Sequence, residues 1–221
     1  MVGSGSSWST SDGQQMLWDA ERTPVTMIAY APFMSEATPD ASLTVNALTN
    51  QSTEENVKSS DFLLMKATVD PEQDLTADGK LKISLNHAMS KLIIKITVNG
   101  TTDASMSKLG DMAINGAVVN ATCDLSAAAP VVVPAADAVV ATVAPYKGTE
   151  SCECILPPQK IAEGFSVNFS YDGKLYIWTA KEAIELEKGV EHTLTLNVNT
   201  TVRLAAKMAR NWATGQLIDR N

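Results

Sequence analysis

Histidine, cysteine and long apolar runs are scarce in this 221-residue chain, and each scarcity removes a class of function. No stretch of about 18 consecutive apolar residues occurs, so no membrane-spanning helix is predicted. The N-terminus, MVGSGSSWSTSDG, lacks the charged start and apolar stretch of a secretory signal, so the protein is either cytosolic or separated here from an export segment. Three cysteines, Cys123, Cys152 and Cys154, are too few for a disulfide framework. Cys152 and Cys154 would share one face of a strand, where a bridge would be strained, so buried thiols packing as small hydrophobes are expected. Lys and Arg total 17 against 25 Asp and Glu, a net charge of −8 with a pI near 4.8. That balance argues against a nucleic-acid partner, which needs clustered cations, and suits a protein kept soluble on a surface or outside a cell.

Catalytic and metal signatures are equally thin. His87 and His192 stand outside any paired metal motif, and no nearby Cys or carboxylate has zinc-ligand spacing; both are expected to be structural strand residues with locally bonded imidazoles. Asp70, Glu72 and Asp74 alternate as in a calcium loop. Leu75 replaces the required glycine, however, and Leu81 stands where the bidentate acid belongs, so a solvated acidic turn is expected. No nucleophile elbow, Walker loop or dinucleotide fingerprint occurs, and no carboxylate pair is assignable to glycoside hydrolysis. Five Asn-x-Ser/Thr sequons (Asn50, Asn99, Asn120, Asn168, Asn199) are what Thr-rich turns produce by chance. The reading is of a non-enzyme without cofactor or metal.

What is present is β-sheet patterning. Hydrophobic residues make up 45% and charged residues 19%, a globular balance; Thr, Val, Asn and Ser are plentiful, and helix-period runs are few. The chain is organised around residues 81–98, LKISLNHAMSKLIIKITV. Leu81, Ile83, Leu85 and His87 alternate with polar residues, and after a short break the alternation resumes at Leu92, Ile94, Ile96 and Val98, predicting two strands joined through a kink. Further strands are predicted at 25–30, 43–45 and 152–156, at 165–171 and 174–179 around an Asp172-Gly173 turn, and at 192–198. Asn99-Gly100 and Asn115-Gly116 read as turns. Residues 127–145, rich in Ala, Val and Pro, suit edge or irregular segments. Strands spaced every 8–12 residues indicate a sandwich.

The expected division is a 1–69 N-terminal β region, a 70–80 acidic connector and an 81–221 C-terminal sandwich domain. In the tail, Val202, Leu204, Ala206 and Met208 alternate as in a strand, although residues 203–210 are also rich in helix formers. An extended conformation is preferred there.

Asp61-Phe62-Leu63-Leu64-Met65 followed by Leu81 to Leu92, with its His87-Ala88-Met89-Ser90-Lys91-Leu92 stretch, resembles the "DLL" segment and "HALSKL" motif of the fimbrillin family of Bacteroidales. Met27-Ile28-Ala29-Tyr30-Ala31-Pro32 is similar to the family's "AYYP" strand, and Leu156-Pro157-Pro158-Gln159 to its "PQ" strand end. Leu186-Glu187-Lys188-Gly189 with His192-Thr193-Leu194-Thr195-Leu196 resembles the late "L-x-x-G-x-x-Y-T-x-x-L" strand, and Asn211-Trp212-Ala213-Thr214-Gly215 a "W-x-x-G" ending. The resemblance implies transthyretin-like β-sandwiches: one complete C-terminal domain plus a partial or reduced N-terminal β domain. It also implies a subunit, tip or anchor component of a cell-surface pilus, exported as an outer-membrane lipoprotein, trimmed of a first strand and joined to other pilus subunits by strand exchange. Only about 25 residues precede the "AYYP"-like strand, so the chain is expected to start inside the family's first domain.

The same mechanism has a physical basis. A sandwich missing an edge strand exposes unpaired backbone groups and an apolar groove, which a strand of another chain can fill. The candidate exchange segment is Val202, Leu204, Ala206 and Met208, with Trp212 as an anchor. The alternative function is a carbohydrate-binding surface lipoprotein or adhesin, with Trp8, Trp18, Trp178 and Trp212 supplying a stacking platform for a host or bacterial surface ligand.

Overall fold

A computed structural model describes residues 2–4, 7–9, 18–19, 21–34, 41–101, 105–199, 204–208 and 216–219. Period-two segments become strands wherever their apolar rows meet a common core. From the N-terminus, β1 (Val2–Ser4) and β2 (Ser7–Ser9) pair with each other, and β3 (Val25–Ala31) and β4 (Ser42–Asn46) precede a short helix, α1 (Glu54–Ser59). There follow β5 (Leu63–Val69), β6 (Asn86–His87) and β7 (Ser90–Val98), then β8 (Leu109–Val118) and β9 (Asn120–Asp124). Four short strands come next: β10 (Val132–Pro134), β11 (Val140–Val143), β12 (Tyr146–Lys147) and β13 (Cys152–Leu156). The last seven are β14 (Gln159–Ile161), β15 (Ser166–Tyr171), β16 (Lys174–Thr179), β17 (Ile184–Leu186), β18 (Glu191–Val198), β19 (Leu204–Met208) and β20 (Gln216–Asp219).

Two five-stranded sheets, β12-β13-β7-β18-β19 and β11-β8-β15-β16-β20, form the sandwich. The first sends Leu92, Ile94, Ile96, Leu194, Leu196 and Val198 into the core. The second sends Ile114, Val167, Phe169 and Trp178 into that same core. Each such side chain, fully buried, contributes about 1.5–3 kcal/mol. The alternation is therefore what commits these segments to their faces: slipping a strand by one residue would turn its apolar row to water. β7 and β18 run parallel, with Lys91 opposite Glu191 and Val98 opposite Val198.

β8 and β9 are separated only by Val119 and act as one long spine. On one side the spine carries β15 and β4, and on the other β11 and β10. Three-stranded sheets β10-β9-β4 and β3-β5-β6 thus adjoin the sandwich. The 70–80 segment folds as turns held by its own carboxylates: Asp74 accepts from the Asp70 amide and Asp70 from the Glu72 amide. Ladders span it nonetheless, because β4 pairs with β9 and β5 with β6. Leu43, Val45, Phe62 and Leu64 share the core of the sandwich. Lys66 fastens β5 to the turn after β9, donating to the carbonyls of Leu125, Ser126 and Ala127.

Three local expectations are corrected. Residues 81–87 form a strand only at β6; Leu81 makes a single bridge to Leu75 that closes the 76–80 turn, and Lys82 to Leu85 have no neighbouring strand. Asn115-Gly116 is not a turn but a bulge inside β8, where the register to β11 shifts between Ala141 and Thr142. Helix α1 was not expected; Thr53 caps it, its hydroxyl accepting from the Asn56 amide, and Glu54 and Glu55 sit in its first turn, where the helix dipole favours anions. The type I′ turns at Asn99-Gly100 and Asp172-Gly173 form as expected, all four residues having φ between 51° and 79°.

Candidate assembly edge

An edge strand with unpaired amides and carbonyls must be covered, blunted or used. Open strand positions are covered in two ways here. Side chains cap two inner strands where a neighbouring strand stops short. The Gln51 carboxamide, fully buried, donates to the Ile155 carbonyl and accepts from the Ile155 amide, both at 2.8 Å, beyond the end of β12. Gln159 does the same for Val118, accepting from its amide at 2.9 Å and donating to its carbonyl at 3.0 Å. A primary amide offers one donor and one acceptor in the spacing of a peptide group, so each glutamine stands in for one residue of a missing strand. The motif Leu156-Pro157-Pro158-Gln159 thereby acquires a structural reason, whereas nothing in the sequence around Gln51 marked it. Replacing Gln51 by leucine removes both bonds and leaves the Ile155 amide and carbonyl buried and unpaired. The expected cost is roughly 2–4 kcal/mol, read as a lower urea midpoint with unchanged slope.

The C-terminal strands form one edge of each five-stranded sheet. β19 lies antiparallel on β18, with Leu204 opposite Val198, Ala206 opposite Leu196 and Met208 opposite Leu194. These three positions of the candidate exchange segment are thus in register with the fully buried row of β18. Val202 and Trp212 lie outside the described residues. β20 lies antiparallel on β16, with Leu217 opposite Trp178 and Asp219 opposite Tyr176. One terminal segment therefore supplies an edge strand to both sheets of the sandwich.

Beside the start of β18 lies a cleft of about 550 Å³. Val57, Met89 and Ile155 form its apolar floor, and charged side chains form its walls. Lys91 reaches Glu153 at 2.8 Å and Glu191 at 4.0 Å, Lys58 reaches Glu54 at 3.9 Å, and His87 Nδ1 lies 2.6 Å from Asp61 Oδ2. The Tyr146 hydroxyl donates to Glu54 at 3.1 Å. That hydrogen bond, with the charges of Glu54 and Glu153, raises the Tyr146 pKa above the usual phenol value, as expected in a negative field.

The remaining sequence candidates are structural where they are described. His192 is buried on β18 and accepts from the Glu187 amide through Nε2. Cys123, Cys152 and Cys154 are free and buried, and burial pushes the Cys152 thiol up to about 11. Trp178 is in the core, so it is no sugar platform, and Trp18 donates its indole N–H to the Thr23 carbonyl. Among the described residues no group of three His, Cys, Asp or Glu is arranged to hold a metal ion, and no helix is long and apolar enough to cross a membrane.

A sequence profile of fimbrillin-like proteins matches residues 1–211. No curated protein matches the chain. Among solved structures, a candidate cell adhesion protein of Bacteroides uniformis superposes with a TM-score of 0.67 at 16% identity, over 95% of this chain and 77% of that one. Another from Bacteroides ovatus gives a TM-score of 0.59 at 18% identity, over 99% and 73%. A fimbrial protein of Bacteroides ovatus gives 0.50 at 15% identity, over 93% of this chain but 43% of that one. At these identities the likeness is one of fold.

Proposed function

The chain belongs to the fimbrillin-like family, and on that premise we propose that it is a subunit of a bacterial cell-surface fimbria that joins its neighbours by exchanging its C-terminal strands. It is a structural, non-enzymatic protein. The observation that carries the exchange reading is the double role of the terminal segment, whose β19 and β20 close one edge of each sheet. If that segment leaves, β18 loses the partner of a row made of Leu194, Leu196 and Val198, and β16 loses the partner of Trp178. The vacated edge matches what the same segment of another copy offers, because donor and lost strand are identical in sequence. Burying four or five apolar side chains at ~1.5–3 kcal/mol each offsets the ordering cost of the extended donor. On this reading the subunit works at the outer membrane as an exported lipoprotein, in a stalk, tip or anchor position.

Deleting residues 201–221 tests the proposal. The truncated chain is expected to remain a folded monomer, by circular dichroism and elution volume, and to form no fibres where the full chain does. Fibres from the truncated chain would overturn strand exchange through this segment.

A further inference from the structure

Charge is unevenly shared along the chain. Residues 201–221 hold Arg203, Lys207, Arg210 and Arg220 against Asp219, a net of +3, which leaves −11 on residues 1–200 of a chain whose total is −8. The cleft beside β18 has the opposite balance. Glu54, Asp61, Glu153 and Glu191 face Lys58 and Lys91, a net of −2 with His87 counted neutral. Its ion pairs to Glu191 and Glu54 are long, at 4.0 and 3.9 Å, so both carboxylates retain capacity for a better-placed cation.

We propose that this cleft receives the basic side chains of the C-terminal segment of a second copy, as an electrostatic latch on the exchanged strand. The inference rests on the strand-exchange reading and adds a site to it. Its geometric support is the direction of β19, which runs antiparallel to β18 and reaches Leu194 with Met208. Glu191, at the cleft wall, lies three residues further along that edge, about 10 Å away at strand spacing. The next cation in the sequence, Arg210, follows Met208 by two residues. A guanidinium suits the site: its planar fork pairs with carboxylates in two-point fashion and stacks on an aromatic face such as Tyr146, while its aliphatic stem covers the apolar floor. Steering by the opposite charges of tail and body would also speed the encounter of two copies.

The test uses the full chain and follows fibre growth by sedimentation and light scattering at ~20 mM and ~500 mM salt, where screening lengths differ several-fold. The wild type is expected to assemble about ten-fold faster at low salt. A Glu54→Gln, Glu191→Gln double variant, altered only at exposed positions, should assemble at the slow rate in both conditions. Mixing Glu191→Arg chains with Arg210→Glu chains should restore growth that neither shows alone. If the double variant keeps the wild-type rate and salt dependence, the latch is overturned while strand exchange stands. If the chain lacking residues 201–221 still forms fibres, both readings fall together.

Discussion

Replacing Trp178 by alanine is expected to lower the thermal midpoint by roughly 6–20 °C. Trp178 is fully buried on β16 and meets Phe165 edge-on, with ring centroids 6.1 Å apart at 80°. Truncating a large aromatic in a packed core costs about 3–5 kcal/mol, and for a chain of this size each kcal/mol moves the midpoint by about 2–4 °C. Phenylalanine at the same position should be far milder. It keeps much of the ring volume, and it removes an indole N–H that finds no hydrogen-bond partner among the described residues. If alanine and phenylalanine prove equally damaging, shape-specific packing against Phe165 matters more than buried volume.

The second large effect is expected at Gly116, where an alanine should cost about 3 kcal/mol or more. Gly116 is the extra residue of the β8 bulge and has φ +91°, a conformation that side chains resist. A Cβ there would lie 2.5 Å from the Gly164 carbonyl oxygen and 2.9 Å from the Phe165 Cα. Those atoms are backbone at the entrance to β15, so relief requires the two strands to part. Differential scanning calorimetry of Gly116→Ala beside Gly164→Ala separates the two contributions. Gly164 also has positive φ, but a Cβ there meets nothing within 4 Å, so it should show the conformational cost alone.

The same glycine shows what the sequence made legible and what it hid. Asn115-Gly116 carries the composition of a tight turn, yet it lies within a strand, because its neighbours Ile114 and Ala117 are both buried in the core. Local chemistry announced a positive φ; only the strands on either side decide whether the chain reverses there or bulges. Where burial and pattern agree, as in β7, β15, β16 and β18, alternation alone located strand and face. Residues 81–87 alternate just as clearly, but Leu81, Ile83 and Leu85 are only half-buried and no strand flanks the segment between Leu81 and Asn86, so the pattern had no ladder to join. The extended state of residues 204–208 was legible. The cleft was not, because it gathers Glu54, Asp61, Lys91, Tyr146, Glu153 and Glu191 from five separate stretches of chain. Gln51 was invisible for the same reason: its partner Ile155 lies 104 residues away.

The parallel pairing of β7 with β18 sets an order of events in folding. Lys91 and Glu191 meet only after the residues between them have been enclosed, whereas β19 follows β18 directly and can pair with it as a local hairpin. Enclosing so long a loop carries an entropic penalty before any contact across it is gained, which slows formation of sheets dominated by distant pairings. The slow step in refolding is therefore the docking of β18 on β7, not the addition of the C-terminal strands. Until β19 pairs with it, the β18 edge is open to whichever strand reaches it first, so the outcome depends on protein concentration. Dilute refolding favours self-completion; on the strand-exchange proposal, crowding at a growing fibre end favours the neighbour.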